Sequence, residues 1–163
     1  PVDMSHDGGN LLDLCRNQRL QAGVDVAFPF GLDQNVGLSK EMMNAIYNAM
    51  DVQLSGTTGE GFGMPFLEAM LAGTINLAPN NTTIPELFGD DRGFIYQNKG
   101  SVCFGQFDNM RIRNLGDETM ALRDLEYIYK NKSKVKAKTK IAREWALQYT
   151  AKRMAEELLK EIK

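Results

Sequence analysis

The sequence predicts an α/β protein, a parallel sheet flanked by helices, followed by a helical C-terminal tail. Three observations predict it. Strand-length apolar runs alternate with helical stripes between residues 24 and 96, which is the spacing of right-handed βαβ units. At residues 51–73 a buried-strand candidate, a glycine-rich turn and a short helix follow one another directly. From Asp117 onward, three helical stripes fill the chain.

Residues 1–7 read as the end of a strand or a loop, with Asp7 placed to cap a helix. Its apolar positions Leu11, Leu12, Leu14, Cys15 and Leu20 carry it to about residue 21, where Gly23 is expected to stop it. Val24-Asp25-Val26-Ala27-Phe28 has a strand's length and alternation, ended by Pro29. Phe30 to Leu38 is expected as a loop. Ser39 is placed to cap the next helix, with Glu41 in its first turn and Met42, Met43, Ile46, Tyr47 and Met50 on its apolar face. A methionine stripe at that spacing reads as core.

Asp51-Val52-Gln53-Leu54 reads as a strand, then a helix closed by Gly73, then Thr74 to Ala78 as the next strand. A loop at Pro79–Thr83, a helical turn at Ile84–Phe88 and a small strand at Gly93–Tyr96 follow. Val102 to Asn114 alternates but is interrupted by Gly105 and Asp108-Asn109, which suggests an irregular hairpin or loop, and no function attaches to it. Asp117 is placed to cap a helix to about Lys130, with Met120, Leu122, Leu125, Ile128 and Tyr129 as buried candidates. A second covers Ser133 to Leu147 around Val135, Ile141, Trp145 and Ala146. The last, from Thr150, has Ala151, Met154, Ala155, Leu158, Leu159 and Ile162 on one side.

With 163 residues, 43% hydrophobic and 25% charged, the chain has the size and composition of one ordinary globular domain. No apolar run is long enough to span a membrane. Cys15 and Cys103 fit no metal or redox spacing and read as reduced thiols of a cytoplasmic protein. The net charge of −2 conceals an asymmetry: residues 1–129 hold 8 Lys or Arg against 17 Asp or Glu, while residues 130–163 hold 11 against 4. The lysines at 130, 132, 134, 136, 138 and 140 recur every second residue, so on a helix they spread around the axis as a solvated surface. Without interleaved aromatics they make no nucleic-acid platform. His6 has no nucleophile arrangement around it.

Chemistry concentrates in Glu60-Gly61-Phe62-Gly63-Met64-Pro65-Phe66-Leu67-Glu68-Ala69-Met70-Leu71-Ala72-Gly73. Pro65 has no N–H to lose and suits a helix start. Gly61 and Gly63 let backbone N–H groups approach a ligand, and the following helix turns its positive end to the same place. Glu60 on the loop and Glu68 within about the first turn of the helix then overhang the carboxyl end of a strand, where open α/β sheets bind ligands. Carboxylates accept from vicinal hydroxyls, so a phosphate or a hydroxyl-rich ring is the expected guest. The same residues are also compatible with a plain tight turn and a glutamate placed for the helix dipole.

The pattern Glu60-Gly-Phe-Gly-x-Pro-x-x-Glu68-Ala-Met-x-x-Gly73 resembles the E-x7-E signature of retaining GT-B glycosyltransferases of group 1, the family 4-like enzymes. The likeness covers residues 24–96 well and the tail loosely. It implies a Rossmann-like parallel sheet that is half of a GT-B fold, a single nucleotide-sugar-binding domain over residues 1–163, with the N-terminal acceptor domain and the first strand and helix of this domain absent. By position, Glu60 is the catalytic-site residue that touches the transferred sugar, and Glu68 binds the nucleotide ribose. Gly61, Phe62, Gly63, Met64 and Phe66 offer N–H groups to sugar and phosphates. Ser55, like Asp51, matches a recurring family position, as does Pro85-Glu86; Phe30 and Gly31 neighbour the base.

The implied reaction is transfer of a hexose from a nucleotide-diphosphate sugar to a sugar, lipid or protein acceptor, with retention and without a metal or other cofactor. Departures from the family are a longer Ser55–Glu60 loop, Ile75 where a proline is common, Asn80-Asn81-Thr82-Thr83 in place of a glycine pair, and no Arg and Lys pair for the pyrophosphate. That missing pair motivates an alternative, a non-catalytic nucleotide-sugar-binding or assembly module. A glycoside hydrolase using Glu60 and Glu68 is disfavoured, because such enzymes need carboxyls facing each other across a sugar. The family's last helix commonly reaches back to the other domain, so weak self-association through Met154, Leu158 and Ile162 is expected. The full-length protein is expected to be cytoplasmic, peripheral to the membrane at most.

Overall fold

A computed structural model describes residues 10–28, 37–103 and 105–162. Asp7, His6, Phe30 and Gly31 lie outside the described residues. The chain forms two compact units, residues 1–43 and 44–163.

In the first unit, α1 (Leu11–Asn17) is capped by Asn10, whose Oδ1 accepts from the N–H groups of Leu12 at 3.0 Å and Asp13 at 3.3 Å. It ends well before Gly23, because Arg19 takes a left-handed conformation at φ 58° and breaks the ladder. The expected strand at Val24–Phe28 is instead a turn. The Asp25 carboxylate accepts from the Gln21 N–H at 2.7 Å, Gly23 sits at φ 87°, and Val24 is 72% exposed. Apolar alternation without a neighbouring strand to receive it does not make a sheet. Helix α2 (Lys40–Ala49) begins at Ser39, whose Oγ accepts from the Met42 N–H at 3.2 Å, and its residues from Asn44 onward belong to the second unit.

The second unit holds a three-stranded parallel sheet in the order β1-β2-β3, formed by β1 (Val52–Leu54), β2 (Ile75–Pro79) and β3 (Phe94–Tyr96). Val52 pairs with Ile75, and Leu77 with Phe94. The helices α3 (Met64–Ala72) and α4 (Ile84–Phe88) fill the crossovers. Then come α5 (Glu118–Lys130), capped by Asp117, α6 (Lys132–Ala146) and α7 (Ala151–Glu161).

The buried central strand β2 feeds both layers of the core. Ile75 and Leu77 pack with Tyr96, Ala121, Ile128 and Val135 beneath α5. Ala78 packs on the other side with Phe66, Met70, Ile84 and Phe88 of α3 and α4, together with Ala142 and Ala146 of α6. Helix α6 therefore serves both layers, through Val135 at its start and Ala142 and Ala146 at its end. Several expected core residues are on the surface instead: Met42 of α2 and Met50 just past its end, Leu122 and Tyr129 of α5, and Ile141 of α6. Each lies on the outer flank of an amphipathic stripe wider than the surface available to cover it.

Between β3 and α5 the chain forms a two-stranded antiparallel hairpin, β4 (Asn98–Cys103) and β5 (Ile112–Gly116), joined through a 3-10 turn at Gly105–Asp108. Asn109 and Met110 complete the reversal with φ values of 50° and 58°.

Candidate functional site

The carboxyl ends of β1 and β2 carry the two loops that build the site. Ser55 continues the ladder, its N–H donating to Leu77 O at 3.0 Å, while its carbonyl accepts from the Tyr96 hydroxyl at 2.7 Å. Its Oγ accepts from the Thr57 N–H at 3.1 Å. Ser55 therefore braces the base of the loop with every polar group it has. The two loops are then laced together. The Glu60 N–H donates to Thr82 Oγ1 at 2.9 Å, Thr83 Oγ1 donates to Phe62 O at 3.4 Å, and Asn81 Nδ2 donates to Thr57 O at 3.0 Å.

Gly63 begins α3 at φ 89° and ψ 49°, a left-handed conformation. A Cβ there would stand 2.8 Å from Phe66 Cδ2 and 3.0 Å from Leu87 Cδ1, so both conformation and packing demand glycine. A Cβ at Gly61 would meet nothing within 4 Å. The Phe66 N–H donates to Gly63 O at 3.0 Å and is already engaged. The N–H groups of Gly61, Phe62, Gly63 and Met64 have no acceptor among the described residues. Four consecutive donors at the positive end of a nine-residue helix form a concentration of anion-binding potential. Asn76, fully buried in β2, donates through Nδ2 to Phe66 O at 3.0 Å and ties this first turn to the sheet. The Phe62 ring lies 5.8 Å from that of Tyr149 beyond α6, which in turn lies 4.6 Å from Trp145, so the loop leans on an aromatic stack.

Glu60 is half-buried and Glu68 exposed. Neither is in an ion pair among the described residues. Glu68 Oε2 accepts from the Tyr47 hydroxyl at 3.0 Å, which leaves Oε1 for a ligand. Burial first, and the bond to Glu68 second, push the Tyr47 phenol up to about 12, so it stays a donor. The sequence pattern placed Tyr47 on an apolar face; the missed signal is that a buried tyrosine hydroxyl needs a partner. In the sequence Thr82 and Thr83 stand out as a departure from the family pattern, and nothing there points to their bonds to the Glu60 loop. Asp51 and Glu86 are exposed. The Glu86 carbonyl accepts from buried Arg92 at 2.7 Å.

A cavity of about 510 Å³ lies elsewhere, between the start of β1 and helices α5 and α6, lined by Asp51, Val52, Gly73, Leu125, Ile128 and Lys132 among others. It opens at the amino ends of the strands and meets none of the loop residues above. No group of three or more His, Cys, Asp or Glu placed to hold a metal occurs among the described residues. No helix among them is long and apolar enough to cross a membrane.

No protein-family model matches this chain, and no curated protein does. Among solved structures it is similar to the C-terminal domain of a glycosyl transferase group 1 family protein (LpcC) from Francisella tularensis, with a TM-score of 0.53 and 19% identity. The likeness is one of fold. It covers 82% of this chain and 57% of that one, so the chain spans little more than half the length of its neighbour. The expected Rossmann-like α/β architecture, a parallel sheet flanked by helices with a helical tail, is thereby shown.

Proposed function

We propose that the chain is the donor-binding half of a retaining glycosyltransferase, which transfers a hexose from a nucleotide-diphosphate sugar to an acceptor. The observation that carries this reading is the run of N–H groups from Gly61 to Met64 at the start of α3, which have no acceptor among the described residues, with Glu60 and Glu68 beside it. The fold likeness to a group 1 glycosyltransferase domain supports it.

In this reading Glu60 accepts from hydroxyls of the transferred sugar, the N–H run meets sugar and phosphate oxygens, and Glu68 Oε1 accepts from the ribose. The bond from the anomeric carbon to the diphosphate oxygen breaks. A bond to the acceptor hydroxyl oxygen forms on the same face of the sugar, and the hydroxyl proton is released. The domain's share is positioning and stabilisation of the departing diphosphate, for which no metal is required. Acceptor binding is assigned to an N-terminal domain, so this chain by itself binds donor and turns nothing over. Weak self-association through α7 accompanies this reading, and nucleic acid is not a partner.

A thermal-shift screen against UDP, GDP and ADP sugars tests it, since a ligand that binds only the folded state raises the midpoint. A rise with at least one is expected. No rise with any, together with silent calorimetry, overturns the reading.

A further inference from the structure

Arg113 lies on β5, in the hairpin to which the sequence attached no function, and its guanidinium stands against the loop that carries Glu60. A Cβ added at Gly59 would lie 2.8 Å from Arg113 Nη1, so a residue without a side chain is what lets this cation rest on the loop backbone. Asp108 accepts from Arg113 Nε at 2.6 Å and from Nη2 at 2.8 Å. That fork fixes the guanidinium plane. Nη1 has no acceptor among the described residues.

The platform beneath Arg113 is well held. Asn81, which also secures Thr57, donates through Nδ2 to Asn114 O at 3.3 Å. Asn98 Nδ2 donates to Asn80 O at 2.8 Å, and the hairpin's last residue, Gly116, sits where a Cβ would strike Tyr96 at 2.5 Å and Pro79 at 3.0 Å. Thus β4 and β5 lean over the carboxyl end of β2 and bring Arg113 to the site's edge.

We propose that Arg113 supplies the cationic contact for the diphosphate of the bound nucleotide, an inference that rests on the donor-binding reading. Glu60 and Glu68 at this rim repel a multiply charged anion, and backbone N–H groups alone do not neutralise it. An arginine already oriented by Asp108 gives up little side-chain freedom when its remaining arm meets a phosphate oxygen.

Calorimetry of the full chain with UDP, GDP and ADP, and with the matching nucleosides, tests the assignment, with thermal midpoints recorded on the same samples. R113Q is expected to lose about tenfold in diphosphate affinity and nothing in nucleoside affinity, the size of one charged hydrogen bond. R113K keeps a charge for Asp108 but loses the second arm, and it is expected to fall between; it carries the test if R113Q does not fold. Diphosphate affinity equal to wild type in either variant overturns the role of Arg113 and leaves the donor-binding reading standing. A parallel fall for nucleoside and diphosphate also overturns it, since that marks a purely structural residue. A wild-type chain that binds none of the three diphosphates overturns the donor-binding reading itself, and this assignment with it.

Discussion

The Tyr47 hydroxyl donates to Glu68 Oε2 at 3.0 Å, a bond between two helices whose partners are 21 residues apart in sequence. It fixes the orientation of the carboxylate assigned to the ribose while committing one of its two oxygens. The same tyrosine is anchored from behind, since its carbonyl accepts from Thr74 Oγ1 at 2.6 Å at the entry to β2. One residue of α2 thus connects the site to the central strand.

Glu68→Ala is expected to weaken nucleoside diphosphate binding tenfold or more, because a charged hydrogen bond contributes about 1.5 to 3 kcal/mol. Tyr47→Phe keeps the carboxylate and loses its orientation, so a smaller loss is expected. Titration calorimetry with equal affinities in wild type and Glu68→Ala removes the ribose role.

The Tyr47 phenol, held up to about 12 by burial and by Glu68, makes stability depend on alkaline pH. The proton is bound more tightly in the folded chain than in the unfolded one. Its stabilisation is therefore complete below the ordinary tyrosine value of about 10 and is lost as pH rises towards 12. Ultraviolet titration is expected to show two late phenols, Tyr47 and the buried Tyr96, of which the one belonging to Tyr47 disappears in Tyr47→Phe. Ionisation of all five tyrosines together near the ordinary value contradicts this.

At the hairpin the sign is reversed. The bonds from Arg113 hold the Asp108 carboxyl below its ordinary value. Its contribution is present above the unfolded value and lost as pH falls through the folded one. Carbon-detected NMR is expected to find Asp108 titrating below ordinary aspartates, and returning to the ordinary range in Arg113→Gln. An unchanged midpoint in that variant sinks the assignment of cause.

Two glycines of the loop separate structural from ligand roles. Gly63→Ala combines a left-handed backbone with overlap against Phe66 and Leu87, and it is expected to destabilise by about 2 to 4 kcal/mol. Gly61→Ala meets open space and is expected to leave the denaturation midpoint within about 0.5 kcal/mol of wild type. Urea unfolding of the pair checks this, and equal midpoints refute the distinction.

Helix α7 has no buried residue, and Met154, Leu158, Leu159 and Ile162 are all more than 60% exposed. Concentration-dependent sedimentation is expected, abolished by Leu158→Glu. A strict monomer at high concentration argues against the stripe as a contact surface.

Much of this was legible because its causes are local. Ser39 and Asp117 cap the helices they precede, Gly73 closes α3 at φ 86°, and the run Ile75–Pro79, apolar except for Asn76, is buried throughout as a central parallel strand should be. The Glu60–Gly73 pattern located the loop and helix of the candidate site for the same reason. What was misread depended on neighbours. Val24–Phe28 alternates like a strand yet is a turn, and Tyr129 follows a helical stripe yet is 74% exposed.

By itself, then, the sequence determined the fold class, the succession of strand, glycine loop and helix, and the position of the two glutamates along it. Hydrogen-bonding caps, backbone sterics and periodic apolar burial act within a few residues, so they can be read from the order of the side chains. Only the tertiary structure decided that Tyr47 holds Glu68, that Thr82 holds the Glu60 loop, and that Arg113 comes to rest on Gly59. Those meetings join residues 21, 22 and 54 positions apart, and their geometry exists only after the sheet has brought the carboxyl ends of its strands together.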